Sequence, residues 1–179
     1  MKIKSWKEIS HSWVDKEQDY KKSDLAKQQL YTAIFLFLNR IDFASSITLA
    51  GASGEIFHKL IEFNGKKPFV EHARLLCNHI IGHTPKKQKY IKHFRDITGI
   101  YPLRHMSKTC CDTIEIDLED AAEKAISAAV LDYTKLYGEE ELIIKSFLNW
   151  LWVIKDGEKM MQAYETLPEK MKKNAFRKT

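Results

Sequence analysis

The sequence predicts an all-α protein, a single up-and-down helical bundle of about six main helices. Three observations carry this. Only four prolines and seven glycines punctuate 179 residues, so long stretches lack both helix breakers. In segment after segment, apolar residues recur at intervals of three and four, the period of an amphipathic helix. Polar capping residues and glycines stand where those segments begin and end. An apolar share of 44% beside 30% charged residues is that of an ordinary globular chain, long enough for one domain with its own core.

The first stretch, 1–22, reads as a peripheral N-terminal helix. Ser5 and Glu8 form a capping-box pair, and Trp6, Ile9, Trp13 and Val14 share one face. The bundle core is expected over 23–155. Ser23 or Asp24 can cap a helix reaching about Asn39, with Leu25, Leu30, Ala33, Ile34, Phe37 and Leu38 inward and Phe35 and Leu36 widening the face. The short connector Asn39–Asp42 sets the next helix antiparallel to it. That helix runs from Phe43 to Phe63 with Ile47, Ala50, Gly54, Phe57 and Ile61 as its inner stripe. Its run of small residues, Ala50 to Gly54, suits a close approach of another backbone, because each helical glycine costs about 1 kcal/mol against alanine. The run has no Gly-Lys-Ser/Thr, so it does not fit a phosphate loop.

Asn64-Gly65 closes that helix and Pro68 opens the next, Phe69 to Ile81, with Val70, Ala73, Leu76, Cys77 and Ile80 inward. Gly82 and Pro85 end it. A strongly basic helix follows from Lys86 to Arg95, held to the core by Tyr90, Ile91 and Phe94. The helical pattern breaks near Gly99 and Pro102. A polar connector and the alternating run Thr113–Ile116 lead to Asp117, which caps a long helix bearing Leu118, Ala122, Ala125, Ile126, Ala129, Tyr133 and Leu136 inward, closed by Gly138. The last main helix spans Glu139 to Ile154. Its apolar surface, from Leu142 and Ile143 through Phe147 and Trp150 to Ile154, is wide enough to imply deep burial or a subunit interface. Gly157 marks a break, and 156–179 reads as a basic tail with a short helix opened by the capping box Thr166–Glu169.

The net charge of +5 and pI near 9.0 allow RNA or DNA as a partner without singling either out. Three cysteines, two of them adjacent, do not make a disulfide framework and point to a reducing compartment. The amino terminus has no signal-peptide pattern, and no apolar run approaches the ~20 residues of a membrane span. A cytoplasmic protein with no membrane contact is expected.

Five cations, Lys86, Lys87, Lys89, Lys92 and Arg95, fall within one short helix with no acid among them. They are the candidate phosphate-contacting face, whose binding would release counterions; a merely solvated face is the alternative. Arg104 and His105 form the candidate catalytic pair, the histidine as base for a 2′-hydroxyl and the arginine as stabiliser of a phosphorane. Neighbours on a helix diverge by about 100°, which disposes the pair poorly toward one phosphate and equally suits a polar helix end. His72, His79 and His83 repeat at seven and four residues, but the helix ends at Gly82 and no carboxylate beyond Glu71 is near. Cys110-Cys111 has no Cys-x-x-Cys partner. No metal site and no cofactor are expected.

Phe35 to Leu38, Ser46 through Ala52 leading into Glu55-Ile56, Leu103-Arg104-His105, and Asp117 with Ala121-Ala122 and Ala129 to Leu136 together resemble a group of uncharacterised bacterial helical proteins that look HEPN-like. The resemblance covers roughly residues 28–137. It implies a compact bundle related to nucleotide-binding and ribonuclease domains, acting as a homodimer and needing no metal. The family signature is an arginine with a histidine a further four to six residues beyond the residue that follows it. His105 matches the histidine, whereas Gly99 or Ile100 stands where the arginine belongs. The resemblance therefore implies a non-catalytic nucleic-acid- or nucleotide-associated module, in a toxin–antitoxin or defence setting. One alternative is a metal-independent ribonuclease using His105 with Arg95 or Arg104, across a dimer. Another is a structural dimer formed through Phe147–Ile154, with no nucleic-acid role and with dimer loss expected on Trp150→Ala.

Overall fold

A computed structural model describes residues 19–104, 113–167 and 169, the side chains of His79 and Met160 excepted. Among the described residues the only regular secondary structure is helix, with no strand. The helices are α1 (Lys22–Leu38), α2 (Phe43–Phe63), α3 (Phe69–Ile81), α4 (Lys87–Ile97), α5 (Ile100–Arg104), α6 (Leu118–Tyr137), α7 (Leu142–Ile154) and α8 (Gly157–Glu165). The all-α bundle expected from the periodicity is the observed architecture.

Its centre is α2, packed along one side by α1 and along another by α6. The reason lies in side-chain size. Ala121, Ala122, Ala125 and Ala129 line α6 and are at most 2% exposed. Small residues on α2 face them: a Cβ on Gly54 would lie 3.6 Å from that of Ala129. Gly51, one turn earlier, receives a different neighbour, since a Cβ there would lie 3.1 Å from the Ile100 side chain of α5. The two glycines of the small-residue run thus serve two separate close approaches. Larger residues close the interior around them: Leu30, Ile34, Ile47, Phe57, Ile126, Val130 and Ile144 are fully buried. Asp42 caps α2 by accepting from the Ser45 amide at 2.9 Å, and Asp117 caps α6 by accepting from the Asp120 amide at 3.1 Å.

Helix α7 is where the expectation changes most. It begins at Leu142 rather than Glu139. Phe147 is fully buried, and Trp150 packs edge-on to Phe37 with ring centroids 4.9 Å apart. Phe147 belongs to the interior and the half-buried Trp150 packs against it, so Trp150→Ala cannot act as a selective test of an interface. Leu142, Trp152, Val153 and Ile154 are the exposed apolar residues of this helix. The wide apolar surface arises because one side faces the core and the other faces outward.

Smaller departures have simple causes. No side chain caps α1; its N-cap is Lys21, not Ser23 or Asp24. Leu25 and Phe35 are exposed because α1 buries a narrower stripe, Ala26, Leu30, Ala33, Ile34 and Phe37. Ile80 is 77% exposed and Ile81 54%, so the last turn of α3 has no apolar cover. Residues 113–117 are irregular despite their alternation, as no second strand is present for them to pair with among the described residues. The break expected at Gly157 is present: α7 ends at Ile154, Gly157 starts α8, and its missing side chain makes room for Trp152, whose ring a Cβ would meet at 2.0 Å. The N-terminal helix expected over 1–22 lies outside the described residues up to 18, as does the tail beyond 169. Among the described residues no helix is long and apolar enough to cross a membrane.

Candidate functional site

Helix α4 is laid on the bundle rather than built into it. Tyr90, Ile91 and Phe94 are half-buried, none of its residues is fully buried, and Phe94 meets Phe69 of α3 with ring centroids 6.4 Å apart. The corner leading into it is pinned by Arg74, which donates to the Pro85 carbonyl at 2.8 Å while its guanidinium forks onto Glu71 at 2.7 and 2.9 Å. With its apolar side committed, α4 leaves Lys86, Lys87, Lys89, Lys92 and Arg95 exposed.

The five cations do not share one face. Gln88, Ile91, Lys92 and Arg95 fall together and, with Tyr101 of α5, line a shallow groove of about 390 Å³. Lys87 lies toward α2 and α3, close enough to bear on His58 and Glu71 electrostatically. Lys86, Lys87 and Lys89 flank the groove without lining it.

The end of α4 is a reversal. Thr98 is fully buried, and its hydroxyl donates back to the Phe94 carbonyl at 2.8 Å. Gly99 follows at φ 70°, a left-handed conformation that suits glycine. A Cβ there would sit 2.9 Å from Ile116, so both backbone and space favour glycine. The chain then starts α5 in a new direction, and Ile100 seats on Gly51.

This reversal brings together two residues that spacing along one helix keeps apart. Arg104 of α5 and Arg95 of α4 both reach Glu55 Oε1 on α2, at 3.2 and 3.7 Å. The geometry is loose. Arg40 forks onto both oxygens of Glu119 at 2.5 and 2.8 Å, whereas the Arg95–Arg104 pair shares a single oxygen. His105, the candidate base, lies outside the described residues, as do Cys110 and Cys111. Sequence reasoning gave Glu55 no role. Its signal is that no charged residue precedes it in α2.

A second polar cluster joins α3 to α6. Asp132 is 6% exposed and accepts from the Phe69 amide at 2.7 Å, capping α3 from the middle of another helix. Burial pushes its carboxyl up to about 6, against the opposing pull of the Phe69 amide and Lys135. Lys135 donates to the Lys67 carbonyl at 2.6 Å and to His72 Nε2 at 2.9 Å. An ammonium has no acceptor to offer, so His72 is neutral there with its proton on Nδ1. Burial first, then Lys135 and Lys67, hold His72 below the usual imidazole range. Of the histidines spaced along α3, His72 is thus engaged with Lys135, His83 lies 3.3 Å from the Ile81 carbonyl, and the His79 side chain is outside the described residues. Among the described residues no three His, Cys, Asp or Glu side chains converge as a metal site would require. Cys77 is a free thiol directed at the Ala73 carbonyl.

Family models, curated proteins and solved structures were each compared with the chain, and none matches it.

Proposed function

We propose that this chain is a non-catalytic, nucleic-acid-associated module of HEPN-like type that acts as a homodimer and contacts phosphates through α4. The observation that supports this reading is the exposure of five cations on α4 and its N-cap, two of which, Lys92 and Arg95, line a groove with an aromatic ring, Tyr101. Cations track a phosphate backbone and release its counterions, and an exposed ring gives an unpaired base a surface to stack on. Lys92 and Arg95 are the central contacts; Lys86, Lys87 and Lys89 extend the positive field on either side.

The test is a salt-titrated binding assay with RNA and with DNA. Affinity should fall as salt rises, with a log–log slope of about −0.7 per phosphate neutralised on a single strand. Replacing Lys86, Lys87, Lys89, Lys92 and Arg95 by Glu should abolish binding. Weak binding that survives the charge reversal would remove the nucleic-acid role and leave a structural dimer. Such a dimer would use the exposed Leu142, Trp152 and Val153, and Val153→Glu should dissociate it in sedimentation.

A ribonuclease is the second reading, and the convergence of Arg95 and Arg104 next to position 105 favours it. Under that reading His105→Ala abolishes RNA cleavage and leaves binding intact. Under the reading preferred here, the wild-type protein leaves RNA uncut with and without divalent metal.

A further inference from the structure

We infer that Arg95 and Arg104 form a two-pronged site for a phosphomonoester, with Glu55 as the resting counter-ion that the phosphate displaces. The inference rests on the phosphate-binding reading of α4 and names the group that would be bound.

Three observations lead to it. The first is how the pair is built: a buried threonine, a left-handed glycine and a five-residue helix carry Arg104 back to Arg95, where a continuous helix would have carried it away. The second is how Glu55 holds them. Among the described residues the other two arginines, Arg40 on Glu119 and Arg74 on Glu71, each fork onto both carboxylate oxygens at 2.5 to 2.9 Å. Here one oxygen serves two guanidinium groups at 3.2 and 3.7 Å. A carboxylate held so weakly, on a side chain 51% exposed, gives way to an anion that can engage both forks. The third is charge. Two guanidinium groups opposite one carboxylate leave an excess of one positive charge, and Lys92 adds another in the adjoining groove. A phosphomonoester carries nearly two negative charges at pH 7 and three terminal oxygens, whereas an internal phosphodiester carries one charge and two free oxygens. The dianion matches the pair, and the groove with Tyr101 beside Arg95 receives the nucleoside attached to it.

The experiment compares one ten-nucleotide single strand with a 5′-phosphate and with a 5′-hydroxyl, by fluorescence anisotropy at fixed salt. Wild-type protein should prefer the phosphorylated strand by about tenfold at pH 7.5, and the preference should shrink below about pH 6 as the phosphate takes up its second proton. Arg104→Gln should erase the preference, weakening the phosphorylated strand about tenfold more than the hydroxyl strand. Glu55→Gln, a change at an exposed position that spares the fold, should tighten binding of the phosphorylated strand by about threefold. Adenosine 5′-monophosphate identifies the source of the group. Competition at concentrations equal to the strand means a small phosphomonoester, and competition only at far higher ones means a strand end.

Equal affinity for the two strands at every pH, with binding still lost on the α4 charge reversal, overturns the inference and leaves the proposed function standing. Looser binding of the phosphorylated strand by Glu55→Gln overturns it as well, because Glu55 would then be positioning the arginines. Failure of both strands to bind overturns the inference and the proposed function together.

Discussion

The bundle of α1, α2 and α6 and the segment α3–α5 are assembled on different principles. In the bundle every helix buries a full stripe, and small residues let α2 and α6 approach closely at Gly54 and Ala129. In α3–α5 the only buried apolar side chain is Val70, at 9% exposure; α4 and α5 have none. That segment is held by a few polar ties and small apolar seats: Asp132 and Lys135 at its start, Arg74 at its corner, Ile100 on Gly51 at its end. The candidate site is on the second region. Residues that bind through exposed charge cannot also be buried in the core, so the stable part serves as a platform and the less buried part carries the contacts.

Truncation of an apolar residue in each region tests this most severely. Ile126→Ala removes a fully buried side chain from the heart of α6 and should cost about 3–4 kcal/mol in urea unfolding. Ile91→Ala on half-buried α4 should cost about 1 kcal/mol. Trp150→Ala belongs with the first, at about 3 kcal/mol, because its ring packs on Phe37 and Phe147. Equal losses at positions 126 and 91 would show that α4 is as much core as α6, and the contrast would collapse.

Gly99→Ala strikes the joint between the regions. It places a side chain at φ 70° and within 2.9 Å of Ile116, for an expected loss of about 1–2 kcal/mol. The location of the damage sharpens the comparison more than its size. Amide hydrogen exchange should quicken along α4 and α5 while α1, α2 and α6 keep their protection. Uniform loss of protection would mean that the reversal at Gly99 helps to hold the bundle itself.

The same contrast explains what could be read from the sequence. The bundle was legible because burial imposes a 3.6-residue period: the limits of α2 and α3 agree with the pattern, and Ala122, Ala125, Ile126 and Ala129 all face inward. Where an apolar face meets solvent, the pattern misleads. Leu142 and Ile80 have the right spacing and are exposed, since nothing in the period says where the neighbouring helix stops. The basic helix was visible as composition. Arg104 was visible as a candidate too, but its meeting with Arg95 was not, because Gly99 turns Arg104 back onto Arg95 and no period records that turn. Glu55 and Asp132 were missed for a related reason. Each acts on a residue about fifty positions away or more, in the pairs Glu55–Arg104 and Asp132–Phe69, and local patterns carry no signal of such pairs.

A pH-dependent effect distinguishes the ties of α3 from the packing of the bundle. Asp132 has a folded value of about 6, above its ordinary 3.8, so the folded state binds the proton more tightly than the unfolded chain. Its contribution is present at low pH and is lost as pH rises from about 4 through 6. His72 is shifted the other way. Its folded value lies below 6.5, the unfolded chain takes up its proton first, and stability is lost as pH falls below 6.5. In the window where both titrate, the two oppose each other. Asp132→Asn keeps an acceptor for the Phe69 amide and removes the first slope. Relative to wild type, it should gain on the order of 1–2 kcal/mol as pH climbs from 4 to 7. His72→Asn should lose its disadvantage as the medium becomes acidic, so that its stability relative to wild type falls with rising pH. Denaturant melts at pH 4.5, 5.5, 6.5 and 7.5 measure both. If α3 is tied to α6 through this cluster, the two difference curves have opposite signs of slope; two flat curves would mean that α3 is held by Val70 and its apolar neighbours alone.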